Sequence, residues 1–136
     1  MDTCTLPRHP GTTGDFALAG AFLDTFTHGR FADLAAHLTP DARFRALLPS
    51  RVLEGGVDTL VERFTDWFGG PGQFVVDDAG VGAVDRRLYL RWRVRADRAG
   101  VPCQLEQHLY LSTAGDRIGQ VDLICSGFQP IDATRS

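Results

Sequence analysis

Arg87–Asp97 reads RLYLRWRVRAD, Pro102–Thr113 reads PCQLEQHLYLST and Ile118–Phe128 reads IGQVDLICSGF, three consecutive segments in which apolar and polar residues alternate. A period of two is the signature of strands with one buried face. In the first, Leu88, Leu90, Trp92 and Val94 alternate with Tyr89, Arg91, Arg93 and Arg95, so one face is apolar and the other strongly basic. In the second, Cys103, Leu105, Gln107, Leu109 and Leu111 oppose Gln104, Glu106, His108 and Tyr110. In the third, Val121, Leu123 and Cys125 oppose Gln120, Asp122, Ile124 and Ser126. Opposite charges on adjacent strands, Arg91, Arg93 and Arg95 against Glu106, are placed to pair across the sheet.

Working outward from these strands, the first half of the chain is mostly helical. Phe16, Ala19, Phe22, Leu23 and Phe26 recur at helical spacing and stop at His28-Gly29. Phe31, Leu34, Ala35 and Leu38 predict a short second helix ended by Thr39-Pro40, because proline restricts the residue before it and cannot continue a helix. Ala42–Leu48 alternates as a half-buried strand. Val57, Leu60, Val61, Phe64, Trp67 and Phe68 form the cleanest amphipathic pattern in the chain, followed by Gly69-Gly70-Pro71-Gly72 as a breaker. Phe74–Asp77 predicts a short strand and Asp78–Asp85 a glycine-rich turn region. Helices first and long antiparallel strands last predict an α+β domain, with the N-terminal helices packed on one face of a strongly curved, mainly antiparallel sheet that encloses a pocket in a cone.

At 136 residues the chain predicts one domain, drawn here as residues 15–130 between a flexible N-terminal tail (1–14) and a C-terminal tail (131–136). A formal charge of -3 argues against nucleic acid or an anionic membrane surface as the partner. No apolar run approaches the roughly 20 residues of a membrane helix. The N-terminal segment has no apolar core of a secretion signal, which predicts a cytoplasmic protein. Cys4, Cys103 and Cys125 have no metal-type spacing, and their odd number predicts reduced thiols. His9, His28, His37 and His108 show no paired spacing, so no metal site is expected. The segments Gly69–Gly72 and Gly80–Gly82 lack the context of phosphate loops and read as turns.

The order helix, helix, strand, helix and then antiparallel strands resembles the nuclear-transport-factor-2-like, or SnoaL-like, superfamily over residues 15–130. The local likeness is strongest in Leu105-Glu106-Gln107-His108-Leu109-Tyr110, Ala114-Gly115-Asp116-Arg117-Ile118 and Val121–Phe128, similar to bacterial members mostly without an assigned function. The superfamily includes ketosteroid isomerases, polyketide cyclases, limonene-epoxide hydrolases, dehydratases and non-catalytic binders, so the resemblance implies a pocket without a reaction. The isomerases place a general-base carboxylate where this sequence has Arg43, Phe44 and Arg45. The epoxide hydrolases place an Arg-Asp pair and a further Asp at inner positions that here hold Leu90, Trp92 and Leu123. The isomerases also carry an oxyanion-stabilising acid on the penultimate strand. An ungapped count back from Ile118 puts His108 there, and a one-residue difference in the turn Thr113–Asp116 puts Gln107 there instead.

The two registers turn opposite faces of that strand inward. If Glu106, His108 and Tyr110 face the pocket, a carboxylate two residues from an imidazole can tune it as a general acid or base. If Leu105, Gln107 and Leu109 face the pocket, the polar face belongs to the surface or a dimer interface. Cys125 reads as a small buried hydrophobe whose one plausible activator is His108. Trp92 is either core or a flat wall for an apolar ligand, and Trp67 reads as core. Two functions therefore stay open. One is a cofactor-independent isomerase, cyclase or dehydratase acting on a mainly apolar, carbonyl-containing molecule through His108, Glu106 and Tyr110. The other is a non-catalytic binder or dimerisation module, its small apolar ligand walled by Phe22, Phe26, Phe64, Trp92, Leu105, Leu123 and Cys125. Both predict a homodimer packed through the outer sheet face.

Overall fold

The computed structural model describes residues 13–69 and 74–131. The expected tails and Cys4 lie largely or wholly outside them. Helix α1 (Thr13–Thr27) is followed by a 3-10 segment, Phe31–His37, and then by strands β1 (Leu38–Leu47) and β2 (Val52–Gly55). Helix α2 (Val57–Phe68) leads to β3 (Val75–Val84), β4 (Arg87–Arg98), β5 (Val101–Ala114), β6 (Arg117–Cys125) and the short β7 (Gln129–Pro130). The sheet order is β2-β1-β6-β5-β4-β3, with β7 added to β5. Every strand pair is antiparallel except β1 with β6. The helices pack on one face of this curved, unclosed sheet. No helix of the described residues is long and apolar enough to cross a membrane.

Three local expectations give way to long-range pairing. The second helix is a 3-10 segment because the chain is pulled into β1 at Leu38, where only two turns are available. β1 therefore runs through Thr39-Pro40, and its register to β6 slips between Leu38 and Arg43. Proline has no N–H to give a ladder, so an irregularity is where a strand tolerates it. The expected turn region Asp78–Asp85 is instead the second half of β3, paired to β4 from Ala79↔Trp92 to Val84↔Arg87. Gly80 and Gly82 belong in that strand because longer side chains of β4 lie over them. A Cβ added at Gly80 would come within 3.1 Å of the Arg91 guanidinium, and one at Gly82 would meet the Tyr89 ring.

The core lies between the helices and the inner sheet face. Phe22 and Phe26 of α1, Phe64 and Phe68 of α2, and Trp92 of β4 all belong to it. Phe26 stacks on Trp92 with ring centroids 3.8 Å apart and planes at 11°, while Phe64 meets Trp92 edge-on at 6.2 Å. Edge-on contacts at this spacing are a favoured aromatic geometry, and Phe22, Phe26, Phe64, Phe68 and Trp92 join through them and the Phe26–Trp92 stack into one cluster. At its margin, Arg98 donates to the last α2 carbonyls, Asp66 O and Trp67 O, and lies 4.4 Å from the Phe128 ring centroid. A guanidinium there satisfies carbonyls that the helix end leaves free.

Candidate functional site

The inner and outer faces of β5 are set by a bulge in β6. Ser112 pairs with Gln120 and Thr113 with Ile118, leaving Gly119 as the extra residue. Ile118, Val121, Leu123 and Cys125 are all buried. Their spacing of three and then two shows that the face switches once, at Gly119. Across the bulge the pairs are Leu111↔Val121, Leu109↔Leu123 and Gln107↔Cys125. Gln107 thus points inward, and the register that would turn His108 into the cone is not adopted.

The inward residues named from the sequence come together. Phe22, Phe26 and Phe64 are fully buried, Trp92, Leu105 and Leu123 nearly so, and Cys125 is 7% exposed. Gln107, at 0%, is the one buried polar residue among the described ones. Trp92, Gln107 and Cys125 lie opposite one another on β4, β5 and β6. The Trp92 indole N–H donates to Gln107 Oε1 at 2.8 Å, and Gln107 Nε2 donates to Cys125 Sγ at 3.3 Å. An indole N–H can only donate, so it fixes the amide with its oxygen toward Trp92 and its NH2 toward Cys125. The Gly127 N–H also donates to Cys125 Sγ at 3.3 Å. Gly127 has φ +78°, the left-handed region that favours glycine, and this turn aims its N–H back at the sulfur.

The arrangement buries hydrogen-bond donors among apolar side chains. Gln107 Nε2 carries two hydrogens, and among the described residues only the thiol sulfur, a weak acceptor, takes one. Cys103 and Cys125 are both free and buried. Phe44, Leu90, Trp92 and Leu123 are all buried apolar residues. Among the described residues, no three His, Cys, Asp or Glu side chains are grouped to hold a metal ion.

Glu106, His108 and Tyr110 lie on the outer face. His108 Nε2 stands 2.8 Å from Glu106 Oε2, and His108 Nδ1 stands 2.5 Å from the Tyr89 hydroxyl. Tyr89 and Tyr110 are neighbouring rings, 5.4 Å between centroids. Burial, then the nearby Tyr110, raises the Tyr89 phenol above its ordinary value, so it keeps its proton. Four cross-strand ion pairs surround this group. Arg87 pairs with Asp122, Arg91 with Asp78 at 2.5 Å, Arg93 with Glu106 at 3.8 Å and Arg95 with Asp77 at 2.7 Å. Hydrogen bonds from Arg91 and Arg95 hold the Asp78 and Asp77 carboxyls below their ordinary range. The sequence reading paired the basic face with Glu106 alone. Asp77 and Asp78 escape a reading from sequence because the glycines that follow them suggest a turn where β3 continues.

His37 is a second contact not seen in the sequence. Its Nε2 lies 2.9 Å from Thr25 Oγ1, which itself donates to Ala21 O, so the imidazole N–H is the donor. Burial lowers the His37 pKa from its ordinary value, partly offset by Asp33.

Neither a family model nor a curated protein matches the sequence. Solved structures do match. An NTF2-like protein from Burkholderia xenovorans is similar with a TM-score of 0.65 and 9% identity, covering 86% of this chain and 92% of that one. AusH from Aspergillus nidulans has a TM-score of 0.67 at 14% identity over 87% of each chain. An LEH-like epoxide hydrolase from M. tuberculosis has a TM-score of 0.63 at 16% identity over 86% of each chain. Identities this low speak for the fold alone: with helices on one face of a curved, unclosed sheet, the chain has an NTF2-like α+β cone fold.

Proposed function

We propose that this chain binds a small, mainly apolar, carbonyl-containing molecule inside the cone, with Gln107 as its polar handle. The observation that carries this reading is the underused amide donor of a fully buried glutamine, fixed in orientation by Trp92, whose ring in turn meets Phe26 and Phe64. Small-molecule sites are mostly apolar with a few placed polar groups, and a carbonyl oxygen is a better acceptor for that N–H than a thiol sulfur. Phe26 covers one face of Trp92, so a ligand reaches the indole by displacing that ring.

Binding without turnover is favoured over acid/base catalysis. The imidazole and carboxylate that would move protons sit on the far side of the sheet from the enclosure, and a general acid or base must come within hydrogen-bond reach of the proton it moves. The same outer face supports a homodimer. Arg87, Arg91, Arg93 and Arg95 on it are each matched by a carboxylate, which lowers the charge that a second copy covers, and Ile124 with its neighbour Leu47 adds exposed apolar area.

Trp92 emission in a Trp67→Phe background tests the ligand reading. Titration with flat apolar ketones should change the emission saturably, and Gln107→Leu should weaken binding about tenfold, the value of one hydrogen bond. Equal affinity in Gln107→Leu would remove Gln107 as the handle. A His108→Gln variant with ligand affinity unchanged is expected on this reading, and a loss of affinity would return the polar face to the site.

A further inference from the structure

We propose that residues 127–131 form a hinged strap over the end of the cone where α2 and β6 stop, latched by Arg98, and that lifting it admits the cone's ligand; the last clause rests on the ligand reading above. The geometry that carries it begins at the end of β6. Ser126 N–H donates to Glu106 O at 2.9 Å, and Glu106 N–H donates to Ser126 Oγ at 2.9 Å. These two bonds fix the chain to β5 as far as Ser126. Gly127 then turns it at φ +78°, where a Cβ would come within 2.9 Å of Pro49 Cγ. A turn of that hand with no room for a side chain calls for glycine.

Past the hinge the strap is lightly held. Its backbone joins β5 with Gln129 opposite Gln104 and Pro130 opposite Cys103, and Ile131 N–H donates to Pro102 O at 3.0 Å. Pro130 has no N–H to add. Gln129, Pro130 and Ile131 are exposed, and Ile131 and Cys103 line a surface cavity of about 150 Å³. Few buried apolar contacts and water-exposed backbone bonds mark a segment that opens without the rest of the fold.

Phe128 is the part of the strap that reaches the core. Its ring meets Phe68 at 6.2 Å, Phe68 meets Phe26 at 5.1 Å, and Phe26 stacks on Trp92 at 3.8 Å. Lifting Phe128 gives Phe68 and then Phe26 room to move, and Phe26 is the ring that a ligand displaces to reach the indole. Arg98 holds the strap down. Its guanidinium donates to Asp66 O and Trp67 O at 3.3 and 3.0 Å while lying 4.4 Å from the Phe128 centroid, so one side chain of β4 ties the strap to the end of α2. The hinge also covers a reporter: Gly127 N–H donates to Cys125 Sγ at 3.3 Å, and moving it uncovers a buried free thiol.

Iodoacetamide labelling of the native full chain, read by peptide mass spectrometry, tests the hinge with no ligand present. Cys125 should be labelled at a rate that stays nearly flat in low urea, because lifting a short strap exposes little surface. Arg98→Ala should speed that labelling about tenfold, the worth of a cation–π contact and a hydrogen bond from a charged group. A rate that climbs in urea with the slope of global unfolding would overturn the hinge, and an Arg98→Ala rate within about twofold of native would overturn the latch. Should Arg98→Ala not fold, Phe128→Ala decides: it removes the ring, leaves Arg98 its helix carbonyls and should quicken labelling similarly, and an unmoved rate would refute the strap. The entrance is tested apart from the hinge. In the Trp67→Phe background, the association rate of a flat apolar ketone, followed by Trp92 emission, should rise with the labelling rate in Arg98→Ala. Faster labelling with an unmoved association rate would overturn the strap as the way in and leave the cone site standing. Labelling as expected with no ketone binding in either protein would overturn the ligand reading and keep the hinge as a cover of Cys125.

Discussion

Two faces of one strand, β5, are built on opposite rules. Inward, Leu105, Gln107 and Leu109 are sealed from water, and a single amide serves as the polar group among packed rings. Outward, Glu106, His108 and Tyr110 stay partly exposed, with Glu106 shared between Arg93 on β4 and His108 on its own strand. The inner face draws its stability from contacts that cannot be replaced by water. The outer face draws little stability from any one pair, because solvent-exposed pairs are screened.

The sharpest way to break this comparison is to remove one ring. Phe26 touches Phe31, Phe64, Phe68, Phe74 and Trp92, so Phe26→Ala should lower unfolding free energy by about 4 kcal/mol in urea titration. A change under about 1 kcal/mol would mean that this end of the cone collapses freely around the gap. Gln107→Leu comes next. It keeps the volume but leaves the Trp92 N–H unanswered, and about 2 kcal/mol should be lost. On the outer face the largest effect belongs to Arg87, whose guanidinium reaches Asp122, Ser112 Oγ and Tyr110 O. Arg87→Ala should remove about 1 kcal/mol, less than either inner change.

Much of this division is written in the sequence. The alternation of Leu88 to Val94 and of Cys103 to Leu111 identifies the inner residues correctly, because period two has no competing reading in strands this long. The ungapped count that put His108 inside fails at one residue. Ile118, Val121 and Leu123 are apolar at spacings of three and two, which signals the bulge at Gly119, but a single glycine is a weak mark for a change of face. β3 was only half legible. Its glycines look like a turn in isolation, and their place in the sheet depends on Arg91 and Tyr89 lying over them, which is a property of the neighbouring strand. The Trp92–Gln107–Cys125 line was beyond the sequence for the same reason, since it joins three strands whose relative register the bulge sets.

Acid sharpens the comparison from the other side. Asp77 and Asp78 have pKa values below the ordinary 3.8, so their contribution to stability is full above that value and is lost as pH falls below it. His37 also has a lowered pKa, and a group that resists protonation in the fold contributes fully above its ordinary value of 6.5 and loses that contribution as pH falls toward the lowered one. Urea midpoints should therefore decline gently below about pH 6.5 and more steeply below about pH 4. His37→Gln should flatten the first decline alone, and an unchanged profile would take His37 out of the account.

The smallest expected effect on stability is that of His108→Gln, and it tests the division most closely. An exposed side chain replaced by one with the same hydrogen-bonding capacity should shift the unfolding free energy by no more than about 0.5 kcal/mol. A larger loss would mean that the Tyr89–His108–Glu106 relay holds β4 and β5 together, as Gln107 does on the other side. With stability unchanged, any effect of the substitution on association belongs to the interface, because the fold that presents the face is the same. The outer relay can then be altered without disturbing the cone behind it, and that independence lets the two faces of one strand be probed separately.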